Sequence, residues 1–545
     1  MSKYNIRFVL WGFILFFGFI LFNSWESSKE QVNNSNLVSD SKKILNDDKL
    51  SNAIDNTKID IKDFYNDSSN LVLINTNLVF AKINLYGGDI EYLELKKYSN
   101  SLNDSSGGVI LFDKSDDKYY VPQLGFLNDL GPDSKVLGRC LYTIDKNKYE
   151  IDENNSNLIV KLSYITDDNI TINKIYTFKS YSYEIDVDYV IKNDSNQIYS
   201  GRIYGLIKQK KKDVKSGLLS TSNRFYEGAA VYTKEYPYKK ISFDDINNKK
   251  FNELIYGGWI AMLEHYFICS WIPSSNNNYI YNSEKSSNNL YIIKYVSENE
   301  LIVRSGEEKN IGAKLFAGPK VKDMLNKLSK GLDLAVDYGI LWPIASPIFL
   351  LLSKIYSIVG NWGISIILVT FIIKLLFFHL SSISYRSIGN MKKLQPRMEI
   401  LKHRYKDDKK MFGQAVMNLY KKEKVNPLGG CLPILVQIPV FISLYYVLLE
   451  SVELRQAPFL FWIKDLSDKD AYYILPVIMS FTMYLQQKLN PPIQDPTQAK
   501  IMMFMPVVFL LIFLQFPSGL ILYWIVNNIL SILQQWFIMK QVERN

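Results

Sequence analysis

A single lysine lies deep in an apolar stretch that is long enough to cross a membrane. Residues 359–380 are apolar apart from Asn361, Lys374 and His379. Lys374 lies about six residues, or about 9 Å along a helix, from the end of this stretch that precedes the basic loop. A charge at this depth is costly, so it usually faces the protein interior or a water-filled cavity. The alternative is that Lys374 snorkels to the nearby interface.

Polar side chains in other apolar stretches could share a cavity with Lys374. Thr370 lies one helical turn before Lys374 on the same face. Gln437 lies in a second apolar stretch, and Asn527 and Ser531 are spaced i, i+4 in the last one. Each alone is typical of a hydrogen bond between helices. The five apolar stretches from residue 359 onward contain no Asp or Glu that could pair with Lys374. Lys374 and these polar side chains together predict a hydrated, positively charged groove.

Residues that commonly support catalysis are scarce and scattered. There is no GxSxG, HExxH or Walker A motif, and no CxxC spacing. No two histidines have metal-ligand spacing. We therefore expect no enzyme, no metal and no cofactor. The histidines and cysteines are His265, His379, His403, Cys140, Cys269 and Cys431.

Six apolar stretches predict a polytopic α-helical membrane protein. Residues 1–23, in which Lys3 and Arg7 precede an apolar run, predict an N-terminal anchor, with a cleaved signal peptide as the alternative. Residues 358–540 contain the other five stretches and form the membrane core. Two of them have only 16 residues, about 24 Å of helix against a hydrocarbon core of about 30 Å. The five stretches are 359–380, 431–449, 471–486, 501–516 and 519–539.

Charge predicts how these stretches are oriented. The chain of 545 residues has a net charge of +9, and the loop 381–428 holds much of the excess. Loops rich in Lys and Arg stay in the cytoplasm, whereas the loop 450–470 is rich in Asp and Glu. We therefore expect an inner-membrane protein with both termini in the cytoplasm, and no nucleic-acid binding.

The basic loop 381–428 has the pattern of a cytoplasmic helical hairpin. Met391, Leu394 and Met398 lie on one helical face, and Lys421 and Lys424 end the second helix. Methionines would offer adaptable contacts to apolar segments. The alternative is an inert loop that only anchors the topology by its charge.

The first half of the chain has a different composition. Residues 24–65 are polar without periodicity, which predicts a flexible linker. Residues 66–325 alternate apolar and polar positions, as at Ile185, Val187 and Tyr189, and predict a large antiparallel β-sandwich in the periplasm. Residues 326–357 predict an amphipathic helix in the outer interface, interrupted by Pro343 and Pro347. A capping helix of the β-domain is the alternative.

Several segments resemble the YidC/OxaA membrane-protein insertase family, in its bacterial form with a large periplasmic domain. The resemblance is specific over residues 331–538 and looser in the β-domain. It rests on YKKEKVNPLGGCLP at 420–433, SVELRQAPF at 451–459, FPSGL at 516–520, GGWIAML at 257–263 and LDLAVDYG at 332–339.

The resemblance implies six transmembrane helices with a five-helix insertase core, and a periplasmic all-β supersandwich of the sugar-mutarotase type that is not an enzyme. The core surrounds a hydrophilic groove that is open to the cytoplasm and the lipid. Its single positive charge corresponds to Lys374, where most members that we compare have arginine. Thr370, Phe441 and Trp524 match positions along the substrate path, although relatives carry tyrosine where this chain has Trp524.

The resemblance also implies partners. They are nascent inner-membrane proteins, the SecYEG translocon, SecDF, the ribosome and membrane lipids. The C-terminal tail is very short, so we expect ribosome binding to be weak. The sequence thus predicts a membrane-protein insertase and chaperone. The rivals are a small-solute transporter, for which we find no internal repeat, and a membrane-anchored carbohydrate-active enzyme, for which no carboxylate pair can be assigned.

Overall fold

The structure is a computed structural model that describes most of the chain from residue 70 onward. The described residues are 70–102, 107–115, 118–134, 138–151, 155–211, 225–286, 289–405, 408–423, 425, 432–490 and 496–544. The predicted anchor (1–23) and linker (24–65) lie outside them. The described residues form two compact units that meet in sequence at Val336 and Asp337. We call them the β unit (70–336) and the helical unit (337–544).

The β unit consists of two sheets, as the alternating pattern predicts. Strands β1 to β11 are Leu71–Asn75, Val79–Asn84, Asp89–Ser99, Gly108–Lys114, Tyr119–Leu127, Asp133–Ser134, Gly138–Arg139, Lys148–Glu150, Asn157–Ile165, Ile170–Lys179 and Glu184–Asn193. Strands β12 to β21 are Tyr199–Lys210, Gly228–Val231, Lys239–Ser242, Asn252–Tyr256, Ile260–Leu263, Phe267–Pro273, Asn278–Lys285, Leu290–Ser297, Leu301–Val303 and Glu308–Pro319.

Most strand pairs in both sheets are antiparallel. One sheet has the order β15-β18-β19-β12-β5-β4-β3-β2-β1-β8, with β6, β7 and β20 beside this path. The other has the order β14-β13-β16-β17-β21-β11-β10-β9. The described strands β8 and β6 join β1 and β5 in parallel. In β11, Ile185, Val187, Tyr189 and Ile191 are buried as predicted.

Buried aromatic side chains hold the two sheets together. The Trp271 indole of β17 donates to the carbonyl of Leu206 in β12 at 3.1 Å. The Tyr120 hydroxyl of β5 donates to the carbonyl of Met262 in β16 at 2.9 Å. Both rings are almost fully buried. Each therefore contributes a large apolar area and also satisfies its own polar atom.

An ion network crosses the interior of the same unit. The Lys174 ammonium of β10 donates to Asp89 Oδ1 at 3.2 Å and to the Leu124 carbonyl at 2.7 Å. Arg139 pairs with Asp89 and with Asp133. All of these groups are buried or nearly so, which a charge tolerates only when it is paired.

The described residues of the β unit also form two α-helices, α1 (Phe243–Asn248) and α2 (Lys322–Leu328). A 3₁₀ turn at Leu332–Ala335 follows α2, and both bury apolar side chains within the unit. The compact unit therefore extends to Val336, beyond the predicted domain end at residue 325.

The helical unit contains the apolar stretches that the sequence assigned to the membrane core. Its helices are α3 (Trp342–Val359), α4 (Trp362–Leu376), α5 (Phe378–Lys393), α6 (Gln395–Arg404), α7 (Lys409–Lys422), α8 (Leu432–Glu450), α9 (Ile474–Leu489), α10 (Pro496–Phe513) and α11 (Ser518–Arg544).

Helix α3 corrects one expectation. Pro343 and Pro347 do not interrupt the helix, which runs unbroken for 18 residues. Pro343 lies in the first turn, where a backbone N–H has no partner within the helix, and Pro347 removes a single bond further on. Whether this helix lies in the interface, as predicted for 326–357, stays a prediction.

Helix α4 ends earlier than the apolar stretch 359–380. A bend of 69° separates it from α5, with the break at Phe377. Among the described residues, Gly339–Val359 and Ser518–Val542 are long and apolar enough to span a membrane, and the bent pair counts as a third if taken as one span. Two further apolar helices, Val436–Glu450 and Met502–Phe513, are shorter. The predicted number of six spans therefore stays a prediction.

Helices α6 and α7 form a hairpin within the segment 381–428, and its location in the cytoplasm stays a prediction. Helix α5 leads into it, and Pro396 in the first turn of α6 marks the break after α5. The Tyr420 hydroxyl of α7 contacts Met398 Sδ of α6 at 3.1 Å. Arg397 and Glu423 pair across the hairpin at 2.6 Å.

Candidate functional site

Lys374 lies in the last turn of α4 and points at the last helix. Its ammonium donates to Ser531 Oγ of α11 at 2.7 Å. The Ser531 hydroxyl in turn donates to the carbonyl of Asn527 at 2.6 Å. Ser531 is buried and Lys374 is half-buried. The structure thus brings together the lysine and the stripe on α11 that the sequence grouped with it.

The ammonium of Lys374 has no ion pair within the described part of the chain. No Asp or Glu there lies within 4 Å of its Nζ, whereas the buried Lys174 and Lys294 of the β unit are each paired with a carboxylate. Its neighbour Ser531 is neutral. A half-buried cation that is hydrogen-bonded but not neutralised leaves net positive charge at this place in the helical unit.

Further buried polar atoms in the helical unit have unused hydrogen-bonding capacity. Asn527 Oδ1 and Ser443 Oγ are buried and have no hydrogen-bond partner among the described residues. Trp524 Nε1 is also buried and has no hydrogen-bond partner among them. Buried polar atoms in native proteins are normally satisfied, so each of these atoms needs a water molecule or a ligand group. They lie on α8 and α11.

An aromatic cluster that includes Trp524 joins α8, α10 and α11. The rings of Phe441 and Trp524 meet edge to face at 4.7 Å, and Phe513 of α10 lies 5.4 Å from Trp524. Gln437 Nε2 donates to the hydroxyl of Tyr523, which is almost fully buried. The predicted positions Gln437, Phe441 and Trp524 are therefore close to one another, with Tyr523 as an additional member.

Thr370 does not join this set. Its hydroxyl donates to the Ile366 carbonyl of its own helix at 2.6 Å, and the residue is only 1% exposed. A threonine inside a helix commonly satisfies itself in this way. Helical spacing puts Thr370 one turn before Lys374 on the same helix. Spacing does not show that the Thr370 hydroxyl already donates a hydrogen bond to its own helix.

The sequence reasoning missed a second polar seam on α11. Asn528 Nδ2 donates to Thr482 Oγ1 of α9 at 3.0 Å, and Gln535 Nε2 donates to Asn490 Oδ1 at 3.0 Å. Asn528 and Gln535 are spaced i, i+7, a signal that was present in the sequence. They tie α11 to α9, whereas Ser531 contacts Lys374 of α4.

The residues predicted for the hairpin are divided between α5, the break at Leu394, and the two hairpin helices. Met391, Leu394 and Met398 are buried, and Lys421 is exposed. Met391 packs with Tyr385, Ile388 and Ile538, which joins α5 to α11. Lys424 lies outside the described residues. In the part of the chain that the structure describes, no group of three or more His, Cys, Asp and Glu side chains could hold a metal.

Comparison with known proteins covers both units. The family model described as YidC periplasmic domain matches residues 71–351, and that described as 60Kd inner membrane protein matches residues 354–545. A membrane protein insertase YidC of Stutzerimonas stutzeri (strain A1501) is 47% identical over 476 residues, which cover 87% of this chain and 85% of that protein. Another, of Pseudomonas putida (strain GB-1), is 45% identical with the same coverage.

Two solved structures are more distant. A crystal structure of an active YidC insertase with its first transmembrane domain resolved is 19% identical, covers 86% of this chain and 92% of its own, and has a TM-score of 0.39. A galactose mutarotase related enzyme from Lactobacillus acidophilus is 8% identical over 45% of this chain and 97% of its own, with a TM-score of 0.30. At these scores neither likeness supports an argument about function.

Proposed function

Because the chain belongs to the YidC family of inner-membrane protein insertases, we propose that it inserts newly made membrane proteins through a polar groove around Lys374. The hydrogen bond from Lys374 to Ser531, without an acidic partner among the described residues, is the observation that supports this most directly. This hydrogen bond directs the positive charge of an apolar helix toward Ser531 and Asn527 on α11. Such a charge is characteristic of a water-filled path in a membrane protein.

The first step is entry of the substrate's hydrophilic tail into the groove. Lys374 attracts negative or polar groups of the tail, and Asn527 Oδ1 can accept a hydrogen bond from a peptide N–H. Ser443 and Trp524 offer further polar atoms without partners among the described residues. A tail that leaves bulk water loses hydrogen bonds, which cost several kcal/mol each if unreplaced in lipid. The groove lowers this barrier by providing replacements.

The second step is release of the apolar segment into lipid. Helix α9 has 16 residues, about 24 Å, which is shorter than a hydrocarbon core of about 30 Å. A bilayer beside such a helix thins locally, so the tail crosses a shorter distance. The rings of Phe441 and Trp524 then give the apolar segment a surface to slide along.

The remaining predictions belong to the same proposal. The hairpin of α6 and α7 receives substrates in the cytoplasm through its methionines, and the groove is closed to the periplasm. SecYEG and SecDF act together with the protein on larger substrates, and the ribosome binds weakly. The relatives carry the names of insertases rather than of enzymes, which agrees with a non-enzymatic role for the β unit.

The test is replacement of Lys374 in a strain depleted of its own insertase. We expect Lys374→Ala to reduce insertion of single- and double-spanning substrates about tenfold, equivalent to ~1.4 kcal/mol, because the groove loses its charge. Lys374→Arg keeps the charge and should retain activity. Protease protection of the translocated tail measures insertion. Full activity of Lys374→Ala, at equal protein level, would contradict the role of the groove charge.

Purified protein in liposomes separates insertion from the rival functions. An insertase should protect the tail of a short substrate without any nucleotide. A transporter should instead accumulate a small solute, and neither the family match nor the described structure supports that alternative. Substrate protection that is lost in Lys374→Ala but kept in Lys374→Arg would tie the activity to this site.

A further inference from the structure

A cavity lies between the ends of α5 and α11, away from Lys374. It has a volume of about 140 Å³, and Gly389, Lys392, Lys393, Met539 and Val542 line it. The two helices touch beside it, since a Cβ atom on Gly389 would come within 3.2 Å of Val542 Cγ1. The absence of a side chain at Gly389 thus lets the two helices approach closely here.

The lining combines two lysines with an apolar wall. Lys392 and Lys393 end α5 and are exposed, while Met539 is buried and Val542 is partly buried. Neither lysine has an Asp or Glu within 4 Å among the side chains that the structure describes. A small anion next to a hydrocarbon chain would satisfy both halves of such a lining.

The part of α11 beside the cavity carries side chains that are typical of a membrane–water interface. Trp536 of α11 is 55% exposed, and the Lys540 ammonium lies 5.1 Å from its ring centre. An exposed tryptophan with a lysine beside it is typical of a membrane–water interface. Met539 and Val542 follow within two turns of the helix, so they lie at or just outside this level.

We propose that this cavity binds the phosphate-bearing head group of an anionic phospholipid. Lys392 and Lys393 contact the phosphate, and Met539 and Val542 contact the first carbons of the acyl chains. Basic pockets between membrane helices bind acidic head groups in this manner. The lipid would hold α11 against α5 at the base of the hairpin. The site does not depend on the groove around Lys374, but it does require that the ends of both helices lie at the cytoplasmic surface of a membrane.

The experiment counts lipids on the full-length protein by native mass spectrometry. Protein in neutral detergent is mixed with phosphatidylglycerol and phosphatidylcholine in equal amounts. We expect one phosphatidylglycerol to bind in preference, and Lys392→Gln with Lys393→Gln to weaken its binding about thirtyfold, the effect of removing two cations near the head group. Equal retention by the wild type and this double variant would overturn the proposal.

Two further variants make the result specific. Val542→Phe keeps both lysines but fills the cavity, so it should also reduce retention. Lys402→Gln with Lys410→Gln removes two exposed lysines of the hairpin, which do not line the cavity, and should leave retention unchanged. Loss of retention in this control pair would mean that net charge alone binds the lipid, and would contradict a built site.

Inorganic phosphate distinguishes the lipid from a soluble anion. If the apolar wall contributes, free phosphate at the concentration of the lipid should not displace phosphatidylglycerol. Complete displacement would mean that the lysines bind any phosphate, and would overturn the assignment to a lipid.

Discussion

The hydrogen bond between Lys374 and Ser531 raises the question of what the lysine contributes. A lysine is a compact charge with rotatable donors, whereas the arginine expected from the family resemblance has a planar fork for bidentate contacts. Ser531 offers a single oxygen, which also donates to the Asn527 carbonyl. The arrangement favours a role as a charge and a centre for water over recognition of one fixed geometry.

This interpretation predicts that Ser531→Ala is mild. The variant removes the acceptor but keeps the charge, and water can replace one hydroxyl in a hydrated groove. We expect insertion to fall no more than about threefold, below the tenfold effect of Lys374→Ala; threefold is about 0.65 kcal/mol, near the low end of the net energy of one hydrogen bond. Protease protection in the depletion strain measures both, and Ser531→Thr is the matched control. A loss as large as that of Lys374→Ala would show that the fixed hydrogen bond is essential.

Lys174 is a buried lysine with the opposite character, since it is fully paired. We expect Lys174→Met to destabilise the β unit by about 3 kcal/mol, because Asp89 loses one of its two cations inside the protein. Lys161→Met, at an exposed position of β9, should change stability by less than about 0.5 kcal/mol. Pulse proteolysis of the full-length protein in urea measures both midpoints. Equal midpoints would contradict a stabilising role for the ion network.

The same ion network predicts that the β unit loses stability at low pH. Burial alone would raise the pKa of Asp89, but the charges of Arg139 and Lys174 outweigh it and lower the pKa below the usual 3.8. A carboxyl group with a depressed pKa in the folded state stabilises the fold above its unfolded pKa, and this contribution is lost as the pH falls through the folded pKa. In Lys174→Met the pKa of Asp89 is higher, so its loss of stability should begin at a higher pH than in the wild type.

At the scale of elements, the two helices of the α6–α7 hairpin are joined by a buried apolar contact and by an ion pair at the surface, and the two can be compared. Met398 is 2% exposed and contacts Tyr420, whereas Arg397 pairs with Glu423 at the surface. We expect Met398→Ala to cost about 2 kcal/mol of local stability and Arg397→Ala less than about 1 kcal/mol. Hydrogen exchange of residues 395–422 should accelerate markedly only in Met398→Ala. Equal acceleration in both variants would mean that the ion pair holds the hairpin.

The sequence predicted elements well where a single physical rule decides them. Period-two alternation identified β11 because one face of a half-buried strand must be apolar. Helical spacing marked Met391, Leu394 and Met398 as apolar positions, and all three are buried. It did not predict that the helix breaks at Leu394, so that Met391 packs against α11 and Met398 contacts Tyr420 of α7. It also grouped Lys374 with Ser531, which lies 157 positions away, because a charge in an apolar helix needs a polar neighbour.

Features that depend on tertiary context could not be predicted. The bend at Phe377 lies in a continuous apolar run without proline or glycine, so no local signal marks it. Asn527 and Asn528 are adjacent and chemically identical, yet Asn528 bonds to α9 while Asn527 lies beside Ser531. Their different environments follow from the packing of α11 against two helices, which composition alone does not specify.

At the scale of the whole molecule, charge and apolar surface are distributed in opposite ways in the two units. In the β unit, buried charges form ion pairs with one another, and buried aromatic side chains pack between the two sheets. The helical unit exposes many apolar side chains on its helices, such as Leu511 and Leu376, which is expected when lipid rather than water surrounds them. Its basic and acidic loops alternate along the chain, and this alternation predicts its orientation.

The orientation prediction can be tested with single cysteines in a background where Cys140, Cys269 and Cys431 are replaced. Phe461 is 91% exposed in the acidic loop, and Lys410 is exposed in the basic hairpin. Because loops rich in Lys and Arg stay in the cytoplasm, an impermeant maleimide added to spheroplasts should label Phe461→Cys at once. It should label Lys410→Cys only after the membrane is permeabilised.

Two further positions complete this map. Tyr181→Cys, 82% exposed in the β unit, should be labelled from outside, and Arg544→Cys at the end of α11 only after permeabilisation. Met391, near the end of α5 that leads into the hairpin, packs with Ile538 of α11, so the hairpin and the end of α11 should lie on the same side. Labelling of Lys410→Cys and Arg544→Cys on opposite sides would therefore contradict the packing as well as the orientation. Labelling of both from outside would mean that the helical unit has the opposite orientation, in which the proposed groove would not open to the cytoplasm.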